Sequence, residues 1–414
     1  MTAAGGDHRR ETTGAGATLR VLASRNFGPY FVGSLLSNSG TWFQNLAQGI
    51  LVYRLTGSTV LLGVVGFSQF VAVLVLAPWT GAAADHFDRR VLMRWMQLGS
   101  FVVTAVLAVL AWKGLASAGV VIGLALLLGV ATAFSTPAMQ ALVPQLVERE
   151  QLSQAIGLNS VSFNAARVIG PIVGAVVISQ LGIPWAFALN SGSYLVLVLA
   201  LSVVKLHRQP PRPKQRPLLR ETLRLAAADP RILALLVATA TLSLTLDPVS
   251  TLSPAYATRV LHRPDTLAGW LIGVFGAGSV VAVFLFTGRI AGSWRRLACT
   301  LTLMGGGIAA YALAPSLEVA LVALFIGGLG FLSSSTATTI WLLRSVDVSQ
   351  HGRFMAIWSA LFLGLRPIAS IVDGALAAVA GVRASAFVMA LPTLVVAAWL
   401  FAGASARSRA RPPA

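Results

Sequence analysis

The stretch GAAADHFDRR, residues 81–90, separates two apolar runs, and its charges decide how the chain folds. Residues 60–84 carry no charged side chain until Asp85, and residues 91–112 carry one, Arg94, near their start. Each run has the roughly 20 residues that an α-helix needs to cross a bilayer. Asp85, Asp88, Arg89 and Arg90 therefore lie at a membrane surface, on a tight loop joining two adjacent transmembrane helices.

The rest of the chain has the same character. Hydrophobic residues make up 56% of the 414 and charged residues only 11%. Mean hydropathy is +0.78, which describes one polytopic bundle and excludes a soluble enzyme with an anchor. The single Cys299 rules out an internal disulfide and suggests no cysteine-based metal site. Residues 1–24 are polar, with Arg9, Arg10 and Arg20 and no apolar core. The first hydrophobic segment is therefore expected to serve as its own insertion signal.

Twelve apolar segments of membrane length can be counted, at about 27–53, 59–84, 92–112, 119–141, 156–181, 184–205, 231–257, 266–288, 296–314, 317–341, 354–380 and 384–403. The expected fold is all-α, a polytopic membrane protein of twelve transmembrane helices in two six-helix halves. An even number of crossings puts both termini on one side. Of the 31 Lys and Arg residues, 24 fall on that side. Five fall on the other (Arg54, Lys113, Arg259, Arg263 and Arg383), and Arg167 and Arg366 lie inside segments. This asymmetry predicts cytoplasmic tails. It also accounts for the net charge of +18. Spread over many short loops, with no basic face of interleaved aromatics, that charge points to anionic lipid and away from nucleic acid.

The longest polar interval opens with HRQPPRPKQRP, too rich in proline for a membrane helix. It continues with LLRETLRLAAADP, where Leu219, Leu223 and Ala226 share one side of a short amphipathic helix on the inner surface. The organisation expected is a cytoplasmic tail (1–24), a six-helix bundle (25–205), a cytoplasmic linker (206–230), a second six-helix bundle (231–403) and a second cytoplasmic tail (404–414). Sliding the chain by 199 residues aligns 129–174 with 328–373 without a gap. That register pairs Arg167 with Arg366, the only two basic residues inside segments.

The pattern Gly81-x-x-x-Asp85-x-x-x-Arg89-Arg90 resembles the loop between the second and third helices of the major facilitator superfamily of secondary transporters. His86 and Asp88 stand where many members have Arg and Gly. A second pattern, Gly157, Ala166, Gly170-Pro171 and Gly174-Ala175, resembles the antiporter motif of drug-exporting members, with alanine for two of its glycines. Small residues at this spacing let helices approach closely, and Pro171 loosens the backbone. The surrounding LSQAIGLNSVSFNAARVIGPIVGA, with HGRFMAIWS later, is most similar to the subgroup that contains the bacterial enterobactin exporter and many actinobacterial efflux proteins. The resemblance implies a six-plus-six parallel repeat with a substrate path between the halves. It also implies that Gly81, Asp85, Asp88, Arg89 and Arg90 form a gate on the cytoplasmic side. Asp85→Asn is then expected to cut transport strongly while leaving expression intact. Unchanged flux in that variant would reduce the cluster to a topological anchor.

A charged side chain at the bilayer centre costs about 2.5–3.5 kcal/mol on insertion scales. Four ionisable residues lie that deep: Arg167, Asp247, Arg366 and Asp373. Polar residues recur beside them at helical spacing: Asn38, Thr41, Asn45 and Gln48 in the first segment, with Gln44 adjacent; Thr239, Ser243, Asp247, Ser250 and Thr251 in the seventh; Ser359, Arg366, Ser370 and Asp373 in the eleventh. Such stripes avoid lipid and face a neighbouring helix or a water-filled cavity. Asn38, Thr41, Asn45, Gln48, Arg167, Ser243 and Arg366 are expected to line a substrate cavity. Asp247 and Asp373 are the proton-coupling candidates, with Asp247 ranked first because Arg366 can neutralise Asp373 and because Pro248 can break the helix and admit water.

The five His residues lie in tails or loops, none at metal-ligand spacing, and no Gly-rich phosphate loop follows a strand. No enzyme activity, cofactor or metal is expected. The sequence reads as a monomeric secondary transporter in a bacterial inner membrane. Its expected partners are the lipid bilayer, protons and a small-molecule substrate. It is expected to export a hydrophobic or amphipathic compound, such as a drug, siderophore or secondary metabolite, by alternating access. Uptake or lipid flipping on the same scaffold, and a non-transporting membrane sensor, are the alternatives.

Overall fold

In the computed structural model, residues 15–206, 219–286, 292–347 and 350–409 are described. Seventeen α-helices account for these residues almost entirely, and the described residues contain no strand. A short helix, α1 (Ala15–Leu22), precedes the first crossing. Its Val21 is buried against the first bundle, so part of the region read as a polar tail is packed structure.

The crossings are α2 (Phe27–Thr56), α3 with α4 (Thr59–Val75, Ala77–His86), α5 (Arg89–Trp112), α6 (Ala118–Leu142), α7 (Leu152–Gln180) and α8 (Ile183–Val203). After the linker helix α9 (Leu219–Ala228) come α10 with α11 (Pro230–Ser250, Ser253–Arg259), α12 (Leu267–Phe286), α13 (Trp294–Leu313) and α14 (Leu317–Arg344). The last two are α15 with α16 (His351–Gly364, Arg366–Ala380) and α17 (Val382–Arg409).

Among the described residues, ten helices are long and apolar enough to span a bilayer. The first crossing falls short of that standard because of its polar stripe. The second falls short because it divides at Leu76, leaving α3 with 17 residues. Large apolar side chains such as Phe284, Val379 and Val203 stand on the outside of the bundle, which only a lipid environment makes favourable.

Local chemistry explains where helices start and stop. Ser58, Ser117, Ser293 and Ser316 each accept a hydrogen bond from the backbone N–H three residues on, capping α3, α6, α13 and α14. Gly57, at φ +63°, ends α2 in the left-handed conformation and donates to Tyr53 O. The three divided crossings each break just ahead of a proline in the next helix, Pro78, Pro254 or Pro367. A proline supplies no N–H for the preceding turn and restricts the residue before it.

Glu221 on α9 pairs with Arg353 on α15 at 3.5 Å, and Thr222 and Ala226 are buried, so this helix is docked on the eleventh crossing. The side chains of Leu219 and Leu223, like residues 207–218, lie outside the described residues.

The first six and last six crossings meet most closely near the face opposite the termini. There α3 lies along α16, and α7 along α12. A methyl group at Gly374 would sit 2.6 Å from Thr59 O and 3.1 Å from Gly63 Cα, and one at Gly63 would collide with Ser370 O. Only glycine at both positions permits this backbone contact. Thr59 donates to Gly374 O at 3.2 Å across the same seam. Above it, Arg54 makes two bonds to Asp265, Nε to Oδ2 at 2.6 Å and Nη2 to Oδ1 at 2.7 Å. Arg259 donates to Gly57 O at 2.5 Å, and Thr258 donates to Tyr53 Oη at 3.0 Å. That face is sealed.

Candidate functional site: a charged cavity between the halves

Beneath the seal, a recess is lined by residues from both sets of six crossings. Trp42, Asn45 and Gly49 come from α2, Gln69 and Phe70 from α3, and Arg366 from the start of α16. The backbone break at Leu365 places Arg366 here, because Pro367 ends the regular pattern and turns the next residues toward α3. The Arg366 guanidinium lies over the Phe70 ring at 4.3 Å and donates to Ser250 Oγ at 2.9 Å.

Arg167, on the unbroken α7, is held differently. Its guanidinium lies 4.5 Å from the Phe331 ring centroid and 5.4 Å from that of Trp42, between the two halves. Among the described residues no carboxylate pairs with it. The two arginines are close enough to repel each other. The repeat register matches them in sequence, yet only Arg366 has acidic neighbours.

Those neighbours form a compact group. Asp247 and Asp373 are both 0% exposed. Ser370 donates to Asp247 Oδ1 at 2.8 Å, and Ser385 donates to Asp373 Oδ1 at 2.5 Å. The two carboxyl groups lie within hydrogen-bonding reach of each other, and Arg366 attracts Asp247. No Arg366 nitrogen comes within 4.0 Å of either carboxylate. Asp373 is thus held by Ser385 and Asp247, and Arg366 leans toward Asp247 instead. Pro248 does not break its helix: α10 continues to Ser250, and the interruption comes ahead of Pro254.

The polar stripe of α2 divides between two duties. Asn45 faces the recess, and Gln48, fully buried, accepts from Gln69 Nε2 at 2.8 Å beside it. Thr41 instead bonds Tyr194 Oη at 3.2 Å, and Gln44 accepts from Thr104 and Asn190, which ties α2 to α5 and α8. Asn38 donates to Ser34 on its own helix at 3.1 Å. Ser243 donates to Phe362 O at 2.8 Å and joins the seventh and eleventh crossings. Trp42, Gln69, Phe70, Phe331 and Ser385 are the site residues that sequence reasoning missed. Gln69, in the run GFSQF, was the one with a readable signal, an amide in the middle of an apolar segment.

The two motifs are placed as follows. Gly170 and Gly174 let α7 lie against α2: a methyl at Gly170 would stand 2.6 Å from Ser39 O, and one at Gly174 would strike Phe43. Ala166 and Pro171 are also buried, Pro171 beside the recess where α7 meets α12, while Gly157 and Gly81 have open space around them. Asp88 caps α5, accepting from the N–H of Arg90 and Val91 at 2.9 and 3.1 Å. Arg89 donates to Ala141 O at 3.2 Å and Arg90 to Val204 O at 2.8 Å. Both cations thus sit at the C-terminal ends of α6 and α8, where helix dipoles favour positive charge. The side chain of Asp85 lies outside the described residues.

Comparison with known proteins gives a consistent result. The family model described as transmembrane secretion effector matches residues 16–410. The staphyloferrin A transporter of Staphylococcus aureus is 33% identical over 171 residues, which is 41% of this chain and 43% of that one. The chain thus spans under half the length of that relative. The enterobactin exporter EntS of Citrobacter koseri is 27% identical over 405 residues, 94% of each chain. Among solved structures, the bacterial homologue of the human lysosomal transporter Spinster, inward-facing and unoccupied, superposes with a TM-score of 0.70. It is 15% identical, with 94% of this chain and 99% of that one covered, and shares the fold.

Proposed function

Because the chain belongs to the transmembrane secretion effector family of major facilitator transporters, we propose that it exports an amphipathic, anionic small molecule in exchange for protons. The carrying observation is the recess between the halves, lined by Arg366 and closed on the face opposite the termini, with Arg167 held against Trp42 and Phe331 and two buried carboxyl groups close by. The excess of Lys and Arg on the termini's side supports a bacterial inner-membrane orientation with both tails in the cytoplasm. In that orientation the described state is closed to the outside. The chain works as a monomer, since each half supplies part of the recess. A siderophore or similar secondary metabolite suits the site, in keeping with the named cargo of the two relatives.

Arg167 carries the substrate preference. It has two aromatic faces for company and no anion. A ligand bearing an oxyanion and an apolar body would satisfy both its charge and the Trp42 and Phe331 rings. Arg is the suitable residue, since its planar fork orients an oxyanion that a lysine would hold only as a point charge. Arg167→Lys and Arg366→Lys are each expected to weaken substrate binding about tenfold, on the order of 1.4 kcal/mol, despite keeping the charge. Normal transport by both variants would assign the arginines to packing.

The test is transport into inside-out membrane vesicles, with carboxyfluorescein and purified siderophores as probes. An acid interior should drive accumulation of an anionic probe, and a protonophore should abolish it. Accumulation that ignores the proton gradient would refute proton exchange. Movement only in the opposite direction would favour uptake.

A further inference from the structure

We propose that Asp247 and Asp373 act as one site that shares a single proton between its two carboxyl groups, with Asp373 as an indispensable half of the coupling site. This deepens the proton-exchange reading above and rests on it. Three observations converge on the pair. Both carboxyl groups are fully buried and lie within hydrogen-bonding reach of each other. Two carboxylates have no hydrogen to offer each other, so that contact requires a proton. Each has its Oδ1 satisfied by a serine, Ser370 or Ser385, with the Thr251 hydroxyl also close to Asp247, and each Oδ2 is buried without a hydrogen bond to the protein. A bridging proton supplies a donor to one of these unpartnered oxygens.

Charge balance gives the same result. The titratable groups facing the pair are Arg366 from α16 and Tyr311 from α13. Tyr311 is buried, is stacked on Tyr256 at 4.0 Å, and has the Ser253 hydroxyl beside its own. Arg366 is 5% exposed, with its Nε unpartnered. Two ionised carboxylates beside one arginine would leave an uncompensated negative charge in the membrane interior, where like charges in contact cannot both ionise. One shared proton leaves the pair with a single negative charge, which Arg366 balances.

The cycle then has a defined proton step: a second proton binds the carboxylate of the pair, forming one O–H bond, and its release restores the single negative charge that Arg366 balances.

Infrared spectroscopy of the purified full chain in lipid nanodiscs at neutral pH tests this without any substrate. The wild type should show the carbonyl stretch of a protonated buried carboxylic acid. In Asp373→Asn the band should be lost, because Asp247, left alone beside Arg366, ionises. Asp373→Glu should restore the band and guards against a folding defect. A band that persists unchanged in Asp373→Asn would overturn the pairing, as would its absence from the wild type. In vesicles, Asp373→Asn should lose proton-driven accumulation of carboxyfluorescein, and full retention would also overturn it. A wild type that ignores the proton gradient refutes proton exchange itself. A coupled wild type with an indifferent Asp373→Asn refutes only the shared site. Accumulation that follows a sodium gradient, with no protonated band, would make the pair a sodium site.

Discussion

Asp247→Asn is expected to abolish proton-driven accumulation in inside-out vesicles while still permitting downhill exchange of substrate. Asp247 is the member of the carboxyl pair that Arg366 attracts, so it connects proton binding to the recess. Asparagine keeps the shape and can still accept from Ser370, but it cannot take up or release a proton near neutral pH. It also removes the negative charge that balances Arg366, which in the membrane interior is worth a few kcal/mol. Accumulation should therefore fall to the level seen without a gradient. Exchange driven by a substrate gradient alone needs no proton and should remain measurable. Full proton-driven transport by the variant would remove Asp247 from the coupling site.

Gly374→Val is expected to stop transport by preventing closure of the outer face. The added side chain would press on Thr59 O and on Gly63, where two backbones touch and neither can yield cheaply. Nearby, the Arg54–Asp265 pair contributes less than its geometry suggests. The Arg54 side chain is 45% exposed, and exposed ion pairs are typically worth about 0–1 kcal/mol. Arg54→Ala should accordingly shift the balance toward the outward-open state modestly, and Gly374→Val should do so completely. Thiol labelling of a cysteine placed at Thr251, beside the recess, reports this from the outside. Labelling should be slow in the wild type, somewhat faster in Arg54→Ala and fast in Gly374→Val. A Gly374→Val protein that transports normally and stays sealed would show that the seam tolerates bulk.

The fold was largely legible because a bilayer leaves so few solutions. Apolar length, the charged loop at 81–90 and the bias of Lys and Arg suffice to count crossings and orient them. Breaks within crossings were less legible. Pro248 and Pro171 sit inside continuous helices, whereas the chain divides ahead of Pro78, Pro254 and Pro367. What decides is whether neighbouring helices hold the turn together, and sequence spacing does not contain that information. The same limit applies to the site. Buried ionisable residues were readable from their cost: Asp247, Arg366 and Asp373 are buried, and Arg167 is half-buried against aromatic rings. Their pairing was not. Arg366 and Asp373 share a helix in sequence, yet Arg366 leans toward Asp247, and Asp373 takes Ser385 from the next crossing. Thr41 and Ser243 belong to recurring polar stripes but satisfy their hydroxyls within one half. Each half needs such bonds to hold together, and a stripe does not say which of its members serve the cavity. The aromatic platforms under the two arginines gave no signal, since Phe and Trp are unremarkable in membrane helices.

Alternating access is the central claim, and paired distances across the two faces test it most directly. Cys299, the lone native cysteine and exposed, is first replaced by serine. Spin labels are then attached at exposed positions on each face. Leu55 with Arg263 reports the sealed face, and Glu150 with Ser345 reports the face of the termini. Protein in lipid nanodiscs is measured by double electron–electron resonance as pH and a bound siderophore are varied. The account predicts that the two distances change in opposite directions, with the Leu55–Arg263 pair lengthening as the Glu150–Ser345 pair shortens. Distances that move together, or that stay fixed under every condition in which transport occurs, would contradict it.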